Sequence, residues 1–182
     1  MNPSLVSISK FISLVLRHDP GKIGLSLDAH GWADVDELID KANRFVRFDR
    51  STLEKVVAEN DKKRFAFSPD GTKIRASQGH SIDVDLQLEP LSPPEVLYHG
   101  TAERFQASIL EQGLLPRSRQ HVHLSKDRTT ALNVGSRHGK PVVFIVRARQ
   151  MELAGLKFYL SANGVWLTEH VPAEYLEIVA SP

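Results

Sequence analysis

The feature that most constrains this chain is a break near its middle. The stretch DVDLQLEPLSPPE, residues 83–95, carries Asp83, Asp85, Glu89 and Glu95 with no base, together with Pro90, Pro93 and Pro94. Proline fixes φ and lacks the N–H that a helix or a sheet ladder needs, so this stretch reads as a boundary. It divides the 182 residues into lobes at 1–82 and 96–182, with 83–95 as linker. Lobes of this length are large enough to bury small cores of their own. Hydrophobic residues make up 41% and charged residues 25%, which excludes wholesale disorder. No apolar run approaches the roughly 20 residues of a membrane span, and the N-terminus lacks the basic-then-apolar pattern of a secretory leader. There is no cysteine, so disulfides, thiolate catalysis and cysteine-held metals are excluded within this sequence. A cytoplasmic monomer is the expectation.

The net charge of +1 conceals an uneven distribution. Residues 96–150 carry nine Lys/Arg against three Asp/Glu and hold four of the eight histidines, whereas 151–182 is acidic. Such a basic middle suits an anionic ligand, or is simply a solvated face.

In the first lobe, Ile8, Phe11, Ile12, Val15 and Leu16 recur at helical spacing. At about 100° per residue, Arg17 falls nearly opposite that stripe, with Lys10 about 20° from it. His18 lies on a flank, and Asp19-Pro20-Gly21 stops the helix. Asp34 with Glu37 marks a second helix start and Ser51 with Glu54 a third. RFAFS and TKIRAS around Pro69-Asp70-Gly71 form a hairpin, with Lys73 and Arg75 on the face opposite Ile74 and Ala76. Three short helices and a hairpin are the order of a winged helix-turn-helix domain, and equally of a generic α+β module.

The second lobe alternates strands and helices and reads as an α/β lobe. EVLYHGT is a strand running into a turn, with Thr101 capping a helix that ends at Gly113. HVHLS is a short strand with His121, His123 and Ser125 on one face. A helix runs through Thr130–Val134. PVVFIVRA is a buried central strand. KFYLS and VWLT flank the turn Ala162-Asn163-Gly164, and EYLEIVA is a last strand.

The candidate chemistry is cationic. Arg17-His18 at a helix end suits the helix dipole, which by itself explains the pair; an outward guanidinium also makes bidentate bonds to phosphate. Arg75 is followed by QGHS, a turn glycine, a histidine and a hydroxyl within reach of an anion. His99-Gly100-Thr101 offers backbone N–H groups at a strand end, or a plain helix cap. His121 and His123 share a strand face, but Asp127 is the only nearby carboxylate, so no metal is expected. Gly135-Ser136-Arg137-His138-Gly139-Lys140-Pro141 lacks the glycine spacing and the Ser/Thr of a P-loop, which leaves Arg137 as an anion contact. No Ser/His/Asp order and no paired carboxylates stand out.

SKFISLVLRH (9–18), IRASQGHS (74–81), LYHGT (97–101), RQHVHLS (119–125) and GSRHGKPVVF (135–144) occur in this order over nearly the whole chain. Together they resemble the RNA 2′-phosphotransferase family. The resemblance implies an α+β protein of two lobes: an N-terminal winged helix-turn-helix that binds RNA and a C-terminal ADP-ribosyltransferase-like α/β lobe that binds NAD as co-substrate. It implies that an internal RNA 2′-phosphate attacks the ribose carbon bearing nicotinamide and expels nicotinamide. The neighbouring ribose hydroxyl then attacks phosphorus, releasing 2′-OH RNA and ADP-ribose 1″,2″-cyclic phosphate. The catalytic set implied is Arg17, His18, Arg75 and Arg137, with Lys10, Arg17, His18 and Arg75 on RNA. His99, Gly100, Thr101, His123 and Ser125 would hold NAD, with Ser108, Gly113 and Leu114 on its adenosine side. Two alternatives stand beside this: an ADP-ribosyltransferase that stops after the first step on nucleic-acid phosphate ends or another acceptor, and a non-enzymatic nucleic-acid-binding module that senses NAD.

Overall fold

The computed structural model describes residues 3–179. These fall into two compact units that divide between Gln87 and Leu88. The division lies inside the stretch expected as a linker, and each half of that stretch is tied to its own unit. Val84 is buried and the Asp85 N–H donates to the Ala29 carbonyl (2.9 Å) in the first unit. The Leu91 N–H donates to the Phe158 carbonyl (2.8 Å) in the second.

The first unit opens with α1, Pro3–Arg17. Its stripe of Ile8, Ile12, Val15 and Leu16 enters the core. The helix stops because Asp19 caps a short 3-10 turn, accepting the Lys22 N–H at 3.0 Å, with Pro20 as its first residue. Strand β1, Ala33–Asp34, leads into α2, Val35–Ala42. Asp34 accepts the Glu37 N–H at 2.9 Å, while the Glu37 carboxylate pairs with Lys41, so the expected capping box is only half made. The third helix, α3, spans Arg50–Ala58. Its cap is Asp49, which accepts from Thr52 at 2.8 Å; Ser51 lies inside the helix and Glu54 pairs with Arg50, so the expected Ser51 start is corrected.

Strands β2, Phe65–Phe67, and β3, Lys73–Ala76, form the expected hairpin. The sheet order is β1-β3-β2, all antiparallel. Arg75 therefore stands on a central strand, not an edge strand. Ile74 and Ala76 point into the core and are fully buried, which leaves Arg75 on the opposite face. Strand β1 has no signal in the sequence, because two residues ahead of a helix cap carry no alternation.

The second unit contains β4 (Leu97–Ala102), α4 (Gln106–Gln112), β5 (Val122–Leu124), α5 (Arg128–Gly135), β6 (Pro141–Val146), α6 (Ala148–Leu153), β7 (Tyr159–Leu160), β8 (Trp166–Thr168) and β9 (Leu176–Ile178). They form two three-stranded sheets, β4-β6-β9 and β5-β8-β7. A mutual bridge between Tyr98 and Ser125 (2.8 and 2.7 Å) ties β4 to β5 and so joins the sheets. Strand β6 is central, as its unbroken apolar run requires. Every pairing among the named strands is antiparallel, so the unit is α+β and the expected α/β arrangement is corrected. Ala180, the end of the expected last strand, lies outside the described residues.

Helix α5 lies directly on β4. A Cβ at Gly100 would sit 1.6 Å from the Ala131 carbonyl oxygen, and one at Gly135 would sit 2.8 Å from that of Thr101. Two glycines, one on each partner, allow this approach. Thr101 of β4 pairs with Val142 of β6, so it is a strand residue and not the helix cap expected. The turn after β4 is a 3-10 segment, Glu103–Phe105, without a side-chain cap.

Candidate functional site

In the first unit the candidate residues gather around one imidazole. His80 is 1% exposed, and neither ring nitrogen has a hydrogen-bond partner. Burial, and after it the charges of Arg17, His18 and Arg75, push its pKa down to about 4. His80 is therefore neutral at pH 7, and groups from the end of α1 and from the last strand of the hairpin act on it together. The expectation that this histidine reaches an anion is corrected: it lies beneath the cations, packed near Gly31, where a Cβ would sit 3.5 Å from Nε2.

Backbone bonding positions the cations. Arg17 is the last residue of α1, and its carbonyl accepts the Ser81 N–H at 2.9 Å. That carbonyl is one of those a helix end leaves unsatisfied. The bond brings the Ser81 hydroxyl 2.9 Å from Nδ1 of exposed His18. Arg75 is half-buried, with its guanidinium 4.5 Å from the Trp32 ring centroid and Nη1 on the His30 carbonyl at 3.4 Å. Stacking on Trp32 holds the guanidinium plane without using up its charge. Asp28, the acid whose charge reaches Arg75, is itself bonded by the N–H groups of His30 and Trp32 and paired with Lys73 at 3.5 Å. Lys10 is exposed on α1.

In the second unit His99 and His123 are coupled. His99 Nδ1 donates to the His123 carbonyl at 2.9 Å, and Nδ1 of His123 accepts from Arg119 at 3.0 Å. Burial above all holds His99 below its usual pKa, with the charges of Arg119 and Arg117 acting in the same direction. Ser125 bridges to Tyr98 through its backbone. Asp127 caps α5 by accepting the Thr130 N–H (2.7 Å) and hydroxyl (2.8 Å). His121 meets Tyr159 edge-on at 5.7 Å. No group of three or more His, Asp or Glu placed for a metal occurs among the described residues.

Arg137 is exposed on the 3-10 segment Ser136–His138 that follows α5. Ser108 is exposed on α4. Gly113 and Leu114 serve packing. A Cβ on Gly113 would lie 2.2 Å from the Val171 carbonyl oxygen, and Leu114 is a core residue whose N–H and carbonyl both bond Val171 (2.8 and 2.9 Å). Sequence reasoning missed Trp32, the role of Ser81 as a partner of His18, and Arg119. The signal for Arg119 was its place at the head of the RQHVHLS motif, four residues before His123.

Cations from separate elements act on His80 in one unit, and a half-buried histidine pair is bonded by an arginine in the other. Each of these sets, taken by itself, offers donors suited to an anionic ligand. Residues 3–170 match the model of a family described as RNA 2′-phosphotransferase, Tpt1/KptA family. The chain is 58% identical to a probable RNA 2′-phosphotransferase of Flavobacterium johnsoniae, over 97% of this chain and 98% of that one. It is 57% identical to one of Hahella chejuensis (98% and 97% covered) and 60% identical to one of Agrobacterium fabrum (94% and 93%). The chain belongs to the RNA 2′-phosphotransferase family and is an enzyme. No helix among the described residues is long and apolar enough to cross a membrane.

Proposed function

We propose that this enzyme removes an internal 2′-phosphate from RNA with NAD as co-substrate, leaving 2′-OH RNA, nicotinamide and ADP-ribose 1″,2″-cyclic phosphate. The observation that carries the reading is the convergence of Arg17, His18 and Arg75 on one buried neutral imidazole. A dianionic phosphate fits such a set, because guanidinium donors bind its oxygens in pairs and neutralise charge that grows at phosphorus. The first unit acts as a winged helix-turn-helix that presents RNA to these cations. Its three helices and small antiparallel sheet support that role.

The second unit acts as an ADP-ribosyltransferase-like lobe for NAD. Its donor set suits a diphosphate-linked dinucleotide: Arg104, Arg117, Arg119 and Arg137 form no ion pair with an acid among the described residues. His99, His123 and Ser125 would hold the ribose and diphosphate, with Gly100 and Thr101 shaping β4 beside them. Ser108 and the Gly113–Leu114 turn would take the adenosine side. When bound, NAD supplies an electrophilic ribose carbon with a good leaving group. The protein's part is to orient the RNA phosphate through Arg17 and Arg75, and Arg137 is the further catalytic cation. His18, anchored by Ser81, binds the phosphate or moves a proton in the second step.

The test is incubation with NAD and a short RNA bearing one internal 2′-phosphate. Dephosphorylated RNA with equimolar cyclic product is expected. Absence of nicotinamide release refutes the reading, and accumulation of ADP-ribosylated RNA without cyclic product replaces it with a transferase that stops after one step.

A further inference from the structure

We infer that the turn between α2 and α3, residues 43–48, is a docking surface for single-stranded RNA. Phe45 is the platform on which a base stacks, and Arg44 and Arg47 take the phosphates beside it. The surface lies in the first unit and shares no residue with the proposed catalytic set. The inference rests on RNA being the substrate, and not on the NAD reading.

The turn reads NRFVRF, with two arginines and no acid. Its backbone sorts these side chains. The N–H groups of Phe45 and Val46 both donate to the Ala42 carbonyl (2.8 and 2.9 Å), and the Asn43 side chain accepts the Phe48 N–H at 2.9 Å. Val46 packs against the core and Phe48 is buried in it, so the turn is held from inside. Arg44, Phe45 and Arg47 are left on the outside.

Phe45 is 55% exposed, an unfavourable place for a large aromatic ring. It is stacked on Phe11 of α1, with ring centroids 6.1 Å apart and planes inclined by 30°. One face of the ring is thereby backed by protein, and the ring is held in a fixed orientation with its remaining surface in solvent. Such a platform accepts any base, because every base has a π-face.

The cations beside this ring are unengaged, whereas their neighbours are not. Lys41 pairs with Glu37, and Arg50 pairs with Glu54 (3.1 Å) and donates to the Gly71 carbonyl (2.7 Å). Asp49 accepts the Thr52 N–H as the cap of α3. Arg44 and Arg47 form no ion pair and no side-chain hydrogen bond among the described residues. Beside Arg47 lies an open depression of about 640 Å³, lined by Asn43, Arg47, Phe48, Asp49 and Thr52. It has room for a nucleotide, with the phosphate on the Arg47 side, away from the Asp49 carboxylate. An acidic protein surface would satisfy the arginines alone. Unpaired guanidinium groups around an oriented ring are what a chain of alternating phosphates and bases requires.

The experiment measures binding of the full chain, without NAD, to a short fluorescently labelled single-stranded RNA that lacks a 2′-phosphate. Anisotropy titrations at several salt concentrations compare the wild type with Phe45→Ala, Phe45→Trp and the double variant Arg44→Gln/Arg47→Gln. Phe45→Ala should weaken binding about tenfold with an unchanged salt slope, and Phe45→Trp should keep the affinity. The double variant should reduce the salt slope of log K by about 1.4, the share of two phosphate contacts on a single strand. Its side chains are exposed, so it decides the matter even if Phe45→Ala fails to fold. Wild-type affinity and slope in every variant overturn the inference. That is also the result if the patch serves an acidic protein or a second copy of the chain; sedimentation that shows a wild-type dimer and a monomeric Phe45→Ala identifies the second copy. RNA binding through this patch by a protein that releases no nicotinamide from NAD refutes the earlier reading and leaves this one standing.

Discussion

Acidification should destabilise the first unit through His80. The group is almost wholly buried, without a hydrogen-bond partner, and its pKa is about 4 against an ordinary value of 6.5. The folded state therefore binds fewer protons than the unfolded chain between these two values, so stability is lost as pH falls through that window. Integrating the two titrations gives a loss of about 2 kcal/mol between pH 7 and pH 5, and the loss approaches ~3 kcal/mol near pH 4. His99 and His121 also have lowered pKa values and add to the acid slope of the wild type. The measurement is therefore a difference: urea unfolding of the wild type and of His80→Gln, followed at Trp32 and at a second-unit probe, at intervals from pH 7.5 to 4.5. The wild type should lose about 2 kcal/mol more than the variant by pH 5. Parallel curves for the two proteins would refute the reasoning, because they would mean that His80 is either hydrated or protonated when folded.

Arg75→Ala should lower turnover on 2′-phosphorylated RNA by orders of magnitude, since a substrate phosphate loses a bidentate partner; its stability should fall by only about 1 kcal/mol, the Trp32 stacking, as read by thermal melting. Arg137→Ala should likewise abolish turnover, with an unchanged melting temperature because its side chain is exposed. Lys10→Ala should weaken RNA binding and reduce the salt slope of log K by about 0.7; an unchanged slope removes Lys10 from the RNA surface. Gly100→Ala, whose Cβ would lie 1.6 Å from the Ala131 carbonyl oxygen, must push α5 off β4 and should cost about 3 kcal/mol or more, seen as lost hydrogen-exchange protection along β4.

Elements whose signals are local were legible in the residues. The stripe of Ile8, Ile12, Val15 and Leu16, the Pro69-Asp70-Gly71 hairpin and the apolar run of β6 each carry their own periodicity or turn chemistry. Caps were less legible. Asp49 and Ser51 both precede a Glu or Thr at compatible spacing, and only the backbone shows that Asp49 accepts the Thr52 N–H. Gly100 reads as a turn signal in one dimension. In space it is an approach signal, because α5 comes from 30 residues further along the chain.

Residue types and order alone determined which groups could do chemistry: arginines and histidines without cysteine, in five ordered motifs that specify the family. What only the tertiary structure decided is which of them act together. Trp32 on Arg75 and Ser81 on His18 are contacts between segments brought together by packing, while Arg119 on His123 is a local bond fixed by the turn between them. The same holds for His80, whose sequence neighbours suggest an exposed turn while its burial makes it a neutral ring that feels Arg17, His18 and Arg75. Local signals are set by short-range backbone geometry, whereas burial and charge proximity, the two quantities that tune an imidazole, exist only once the chain has closed on itself.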